Sequence, residues 1–261
     1  VIDDAFSAWQ FREIPRPGTC RNTPANGSRC CELELLNGLL DLVRTRRRPH
    51  LVTLLGAPGT GKSALLTDFE ALLTDAPESS RLLVDQTSGA RHSTAAAVQT
   101  RILSQLCGIE PTESGLPGLV KLVDALRGFT SFKEESDWLT VNPGRLISEN
   151  GTSGTDIRPA WRRFLELVTA DVPLVVTIDD LHQGDESLLE FIDDLTHQGL
   201  SAPLLVVVAA RPHLLRQHPS WGSGKHHSTT MTLDPVVAEA TVRPLLQPIA
   251  TRAVTYLDDA G

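Results

Sequence analysis

The stretch Leu51–Leu66, LVTLLGAPGTGKSALL, narrows what this chain can fold into more than any other. A run of mostly apolar residues leads straight into Gly56-Ala57-Pro58-Gly59-Thr60-Gly61-Lys62-Ser63, a full GxxxxGK(S/T) match, and a helix-forming run continues from Ala64. Gly59 and Gly61 let the backbone turn tightly and aim its N–H groups at phosphate. The helix opening near Lys62 adds unpaired N–H groups and the positive end of its dipole. Lys62 is placed to reach β- and γ-phosphates, and the Ser63 hydroxyl to ligate magnesium. The nucleotide-contacting set expected here is therefore Gly56 through Ala64.

The pattern around this loop alternates strand and helix. The recurrence of Leu33, Leu35, Leu36, Leu39, Leu40 and Val43 at helical spacing predicts a helix over about 31–47, closed by an arginine-rich end before Pro49. Strands are expected at His50–Leu55, Arg81–Gln86, Leu174–Ile178, Pro203–Ala210 and Thr229–Leu233. Between them fall helices at Lys62–Leu73, Thr94–Leu106, Leu119–Leu126 after an interruption at Gly115–Gly118, Pro159–Thr169 with Trp161 inward, and one ending at Leu195. LVVTI and PLLVVVAA are apolar runs suited to the buried centre of a parallel sheet. The fold class expected is an α/β phosphate-loop NTPase: an open, mostly parallel sheet with helices on both faces.

Residues 1–28 read as a poorly patterned lead-in, 29–234 as the NTPase domain, and 235–261 as the start of a helical segment, with a helix at Val236–Arg243. Residues 129–138 are ambiguous, and 87–93, 142–156 and the polar 213–228 stretch read as loops. The first residue is valine and the chain has one methionine, which leaves open an excised piece or an unusual start.

Net charge is -8 and the isoelectric point about 5.5, so bulk charge favours no polyanion partner. No apolar run approaches the ~20 residues of a membrane span, and no signal peptide is visible. Cys20, Cys30, Cys31 and Cys107 lack usable zinc spacing and read as free thiols in a reducing cytoplasm. Gly222-Ser223-Gly224-Lys225 imitates a second phosphate loop, but 219 is proline and histidine follows the lysine. The histidines at 213, 218, 226 and 227 read as a solvated loop rather than a zinc site.

A phosphate loop needs an acidic partner to hold magnesium. Asp179 ends a buried strand, where that partner belongs, and is assigned to the metal through bound water; the alternative is a carboxylate capping the strand end. Asp180, next in sequence, is the candidate base for the attacking water, or a cap on the following turn. Many hydrolytic phosphate-loop proteins place a glutamate there, and the shorter aspartate implies slow attack. Asp185 and Glu186 suit the start of the next helix by capping and dipole interaction. Arg211 follows the next strand, where it either reads a γ-phosphate or forms a surface ion pair. His182 either shapes the loop that responds to γ-phosphate or is a plain loop histidine.

The chain resembles the NTPase module of bacterial STAND regulators, the signal-transduction branch of AAA+-like ATPases, found in large LuxR-type activators and in multidomain proteins with adenylate cyclase domains. The resemblance covers about 29–247. It rests on LVTLLGAPGTGKSALL, Trp161–Leu165 (WRRFL), Leu174–Glu186 (LVVTIDDLHQGDE), Leu204–Leu215 (LLVVVAARPHLL) and Trp221–Leu233. The family's DDLHWAD is altered, with Gln183 and Gly184 replacing Trp and Ala. Its GRxxEL opening is matched by Arg29, Glu32 and Leu33, with Ser28 for the glycine, and in relatives this segment lies near adenine. The resemblance implies a switch that binds ATP or ADP with Mg2+, hydrolyses slowly, and self-associates or meets a protein partner in the cytoplasm. It also implies a winged-helix segment, helical repeats and an output domain, for which no room follows Leu246. A non-hydrolysing binding module is the alternative. A small-molecule phosphotransferase is a third reading, but the 213–228 loop lacks the arginine cluster of a kinase lid.

Overall fold

A computed structural model describes residues 29–75, 80–86, 94–109, 116–129, 158–196, 199–222 and 227–235. Its elements in chain order are α1 (Cys30–Arg46), β1 (His50–Leu55), α2 (Lys62–Thr74), β2 (Arg81–Gln86), α3 (Ala95–Cys107), α4 (Leu116–Phe129) and α5 (Arg158–Val168). Then come β3 (Leu174–Asp179), a 3-10 turn (Leu181–Gln183), α6 (Glu186–Leu195), β4 (Leu204–Ala210), α7 (His213–Gln217) and β5 (Ser228–Thr232).

The five strands form one sheet in the order β2-β3-β4-β1-β5, and every neighbouring pair is parallel. The apolar runs fill the centre: β1 and β4 are buried along their whole length. Period-two alternation divides their side chains between two layers. Leu51, Val176 and Val206 face the cluster built with α3, α4, α5 and α6. Val52, Val175 and Val207 face the cluster built with α1 and α2. The structure is thus the expected α/β sandwich, helices on both faces of a parallel sheet.

Two buried threonines of the sheet have side-chain partners. Thr53 of β1 is fully buried and accepts a hydrogen bond from Trp221 Nε1 at 3.0 Å. Thr177 of β3 donates to Glu70 of α2 at 2.6 Å. Each bond fixes one layer against the sheet, because an unpaired buried hydroxyl costs more than the bond itself gains. Trp161 packs edge-on against Phe164 and Phe191 with ring centroids 5.6 and 5.7 Å away, the core role its helical spacing indicates.

Some expectations change. The interruption at Gly115–Gly118 is not a break at 116–118: α4 starts at Leu116 and carries Pro117 and Gly118 in its first turn. Proline is tolerated there because first-turn N–H groups have no intrahelical acceptor. The 213–228 stretch is not all loop, since α7 occupies His213–Gln217 and buries Leu214. Strand β5 lies one residue earlier than Thr229–Leu233. His213 and His227 are half-buried rather than solvated: His213 packs edge-on to His182 at 5.2 Å, and His227 lies 6.3 Å from His50. The lead-in 1–28, the loops at 87–93 and 142–156, residues 130–138, Cys20, Gly224-Lys225, His226 and the helix at 236–243 lie outside the described residues.

Candidate functional site

Strand register decides what gathers at the sheet's C-terminal edge. Leu55 of β1 pairs with Ala210 of β4, and Ile178 of β3 pairs with Val208. Asp179 and Asp180 follow Ile178 directly, and Arg211 follows Ala210 as Gly56 follows Leu55. The Gly56 N–H donates to Ala210 O at 3.3 Å, which holds the start of the glycine loop against the end of β4. Sequence order left the adjacency of β3 and β4 open; the sheet makes them neighbours. The glycine loop, the acidic pair and Arg211 thus leave from three adjacent strands.

The loop from Gly56 to Ser63 is shaped by its glycines in two ways. Gly59 and Gly61 have φ of +81° and +85°, the left-handed region that glycine occupies at no steric cost. Gly56 is required for space instead: a Cβ there would overlap Thr60 Oγ1 and lie 3.0 Å from Leu233 O. Thr60 is buried and its hydroxyl donates to Ala57 O at 2.9 Å, closing the loop on itself. Lys62 opens α2 and is buried, with Nζ donating to Gly56 O at 2.9 Å and Ala57 O at 3.0 Å. Ser63 beside it is exposed.

Burial pushes the Lys62 ammonium below its ordinary value, Asp180 and Asp179 pull it back up, and Arg211 pushes it down again. The Asp179-Asp180 pair and Arg211, remote from Lys62 in sequence, therefore lie near enough to act on its charge. Arg211 is exposed and makes no ion pair among the described residues, so the surface-pair reading finds no partner there. Glu70, half-buried below the acidic pair, is raised by burial and by Asp179, while its bond from Thr177 opposes the shift.

Asp179 ends β3 and its Oδ1 accepts the Asp180 N–H at 2.8 Å. Asp180 itself sits at φ 52°, ψ 36°, a left-handed conformation in a residue with a side chain. Aspartate is among the few residues that tolerate it, and such backbone collects at functional loops. The His182 side chain is almost buried with Nδ1 3.7 Å from Asp180 Oδ1, too far for a hydrogen bond, so that nitrogen has no partner. Burial lowers the tendency of His182 to charge, and Asp180 opposes that. Asp185 does what its position promised: it caps α6, accepting the Leu188 N–H at 3.0 Å.

One residue at the site has a contact that sequence reasoning missed. Arg29, assigned through family resemblance to the adenine side, donates from Nη2 to Thr60 O at 2.6 Å and to Asp234 O at 2.5 Å. Its Nη1 pairs with Glu32 Oε1 at 2.7 Å, and its buried Nε has no acceptor. Only the Arg–Glu spacing of three, an ion-pair spacing on a helix, hinted that Arg29 is held in place.

Among the described residues no three His, Cys, Asp or Glu side chains form a protein-only metal cage, and no helix is long and apolar enough to cross a membrane.

The sequence matches the family described as AAA ATPase domain over residues 29–207. No curated protein matches it. Among solved structures it is similar to Cdc6p from Pyrobaculum aerophilum, at 15% identity and TM-score 0.42, over 81% of this chain and 47% of that one. It is also similar to Drosophila ORC bound to AT-rich DNA and Cdc6, at 10% identity and TM-score 0.37, over 78% and 59%. A structure of Drosophila ORC bound to DNA aligns at 16% identity and TM-score 0.36, over 84% and 51%. The chain spans about half the length of these solved chains.

Proposed function

The chain belongs to the AAA ATPase domain family, a nucleotide-binding ATPase module, and from that premise we propose that it is a signalling switch that binds ATP or ADP with magnesium and hydrolyses ATP slowly. The observation that carries this is the convergence of Lys62, Asp179, Asp180 and Arg211 on one sheet edge, where the last three each act on the Lys62 ammonium.

The residues suit a triphosphate. The loop from Gly56 to Ala64 offers left-handed turns and backbone N–H groups at the start of α2. Lys62 donates to two loop carbonyls and can exchange them for phosphate oxygens. The hydroxyl of Ser63 would hold magnesium directly and the carboxylate of Asp179 would hold it through a bound water, both being hard oxygen donors of the kind the ion takes. When bound, the ion supplies neutralisation of charge on the β- and γ-phosphates. Asp180 orients a water whose oxygen attacks the γ-phosphorus as the bond to the β-bridging oxygen breaks, and it accepts the proton the water loses. Arg211 reads the γ-phosphate.

The slow rate follows from the same loop. Aspartate at 180 is one methylene shorter than the glutamate many relatives use, and its backbone is left-handed. That geometry is also what a non-hydrolysing binding module would show, and this is the second reading. The finer assignment is to a STAND-type regulator in the cytoplasm, with residues 29–234 as its NTPase domain, 1–28 preceding it and 235–261 opening the next segment. It rests on the Asp179-Asp180-Leu181-His182 run and the arginine strand. Self-association or a protein partner goes with that reading; a membrane or nucleic acid does not.

The test is direct. The purified chain should copurify with ADP and release phosphate from ATP in single-turnover conditions only with magnesium present. Asp179→Asn should weaken ATP binding in magnesium far more than in chelator. No nucleotide bound and none captured at millimolar concentration would end the proposal; binding without phosphate release would select the second reading.

A further inference from the structure

Arg29 comes before every element of the sheet, yet its guanidinium lies against the loop that follows β1. It is nine-tenths buried. A terminal guanidinium nitrogen has two hydrogens, and those of Nη2 are both committed: one to the Thr60 carbonyl of the phosphate loop, one to the Asp234 carbonyl just past β5. Glu32 holds Nη1 at 2.7 Å and fixes the plane of the fork. The two carbonyls are 174 positions apart in sequence, read from Thr60 and Asp234, and they share a single nitrogen.

A second set of contacts joins the same two segments. The Leu233 N–H donates to Leu55 O at 2.6 Å, and Leu233 O would touch a Cβ placed on Gly56. The chain leaving β5 therefore lies against the start of the phosphate loop, and Arg29 bridges to the loop's middle. A buried charge in this position is worth keeping only while its bonds are made. Any shift of the Thr60 carbonyl must either stretch a charge-assisted bond or carry the guanidinium, and with it Asp234, along.

Resting on the reading that nucleotide occupies the 56–63 loop, we propose that Arg29 is a positioning residue that ties the phosphate loop to the chain leaving β5, so that nucleotide seated on the loop is felt at Asp234. The role differs from contact with a base: it runs through two backbone carbonyls of this protein. It gives the segment after β5 a mechanical link to the occupied or empty state of the loop.

Hydrogen–deuterium exchange on the full chain, with and without saturating ADP, tests it at the peptide spanning 229–235. In the wild type, ADP should slow exchange there and in the 56–63 loop. Arg29→Ala should bind ADP about tenfold more weakly, the scale of losing one bond to a charged group. At saturation it should keep protection of the loop but lose it at 229–235. Arg29→Lys keeps the charge on a side chain one bond shorter, whose single nitrogen cannot hold Glu32 and reach both carbonyls as Nη1 and Nη2 do together; it should fold as the wild type does and still lack protection at 229–235, so it carries the test if the alanine variant fails to fold. Asp234→Ala should behave as wild type, because the tie is to a carbonyl. Protection at 229–235 that persists in a folded Arg29 variant overturns the proposal. A wild type that binds no ADP defeats the functional reading beneath it, whereas a wild type that binds and Arg29 variants that match it defeat this inference alone.

Discussion

The loop after β1 and the loop after β3 meet at one sheet edge and are built on opposite plans. The first is closed on itself: glycines supply its left-handed turns, Thr60 and Lys62 bond to its own carbonyls, and Arg29 braces it from outside. The second is left under tension: an aspartate supplies the left-handed turn, and His182 sits almost buried with Nδ1 unpaired. A loop that must present the same N–H groups to every nucleotide gains from being settled in advance. A loop that must tell one nucleotide from another gains from having unmet bonds to make.

Lys62→Ala should break the first plan most severely. Losing a charge-assisted donor to phosphate should cost about 10²-fold in ATP affinity by calorimetry, with the circular dichroism spectrum unchanged. Unaltered affinity would remove the loop from the site. Asp180→Asn should break the second plan in rate alone. Asparagine also tolerates the left-handed backbone, so ATP should bind normally while phosphate release slows roughly 10²-fold, the scale of a positioned acid–base group. Equal, clearly non-zero rates would take Asp180 out of the chemistry.

Arg211→Ala sharpens the contrast between the loops. It should weaken binding of a non-hydrolysable ATP analogue more than ADP by roughly 1–3 kcal/mol, the usual coupling of a ligand to a switch. Equal losses for both ligands would mean that Arg211 does not read the γ-phosphate. The smallest effect isolates backbone tension. Asp180→Gly should be about 1 kcal/mol more stable than Asp180→Ala in urea unfolding, since both lose the carboxylate and only glycine is at ease at φ 52°. The same pair of substitutions at Asp41, exposed in the middle of α1, should reverse the order by about 1 kcal/mol.

The first plan was far more legible in the sequence than the second. GAPGTGKS is a local pattern, and strands as apolar as LVVTI and LLVVVAA announce their burial. What escaped notice depended on distance. Nothing near Gly56 shows that Thr60 and Leu233 O leave no room for a Cβ there, and nothing near Arg29 shows that Thr60 and Asp234 await it. Trp221 lies in a polar stretch, and only the fold reveals Thr53 as its acceptor. The left-handed turn at Asp180 was equally hidden, because aspartate occurs in every kind of loop. Helix α7 was missed for another reason: five residues with a proline before them carry too little periodicity to read.

The strand order also sets when the site can come into being. Strand β1 lies between β4 and β5, so Leu51 pairs with Val206 on one side and Ser228 on the other. During synthesis HLVTLL emerges first, and its nearer neighbour follows 155 residues later, counted from Leu51 to Val206. Contacts so distant in sequence form late and slowly, because chain entropy is lost before they reward it. The phosphate loop, made before either flanking strand of β1, is thus among the last parts to take shape. During that interval a strand that ends wholly buried lacks both of its sheet partners.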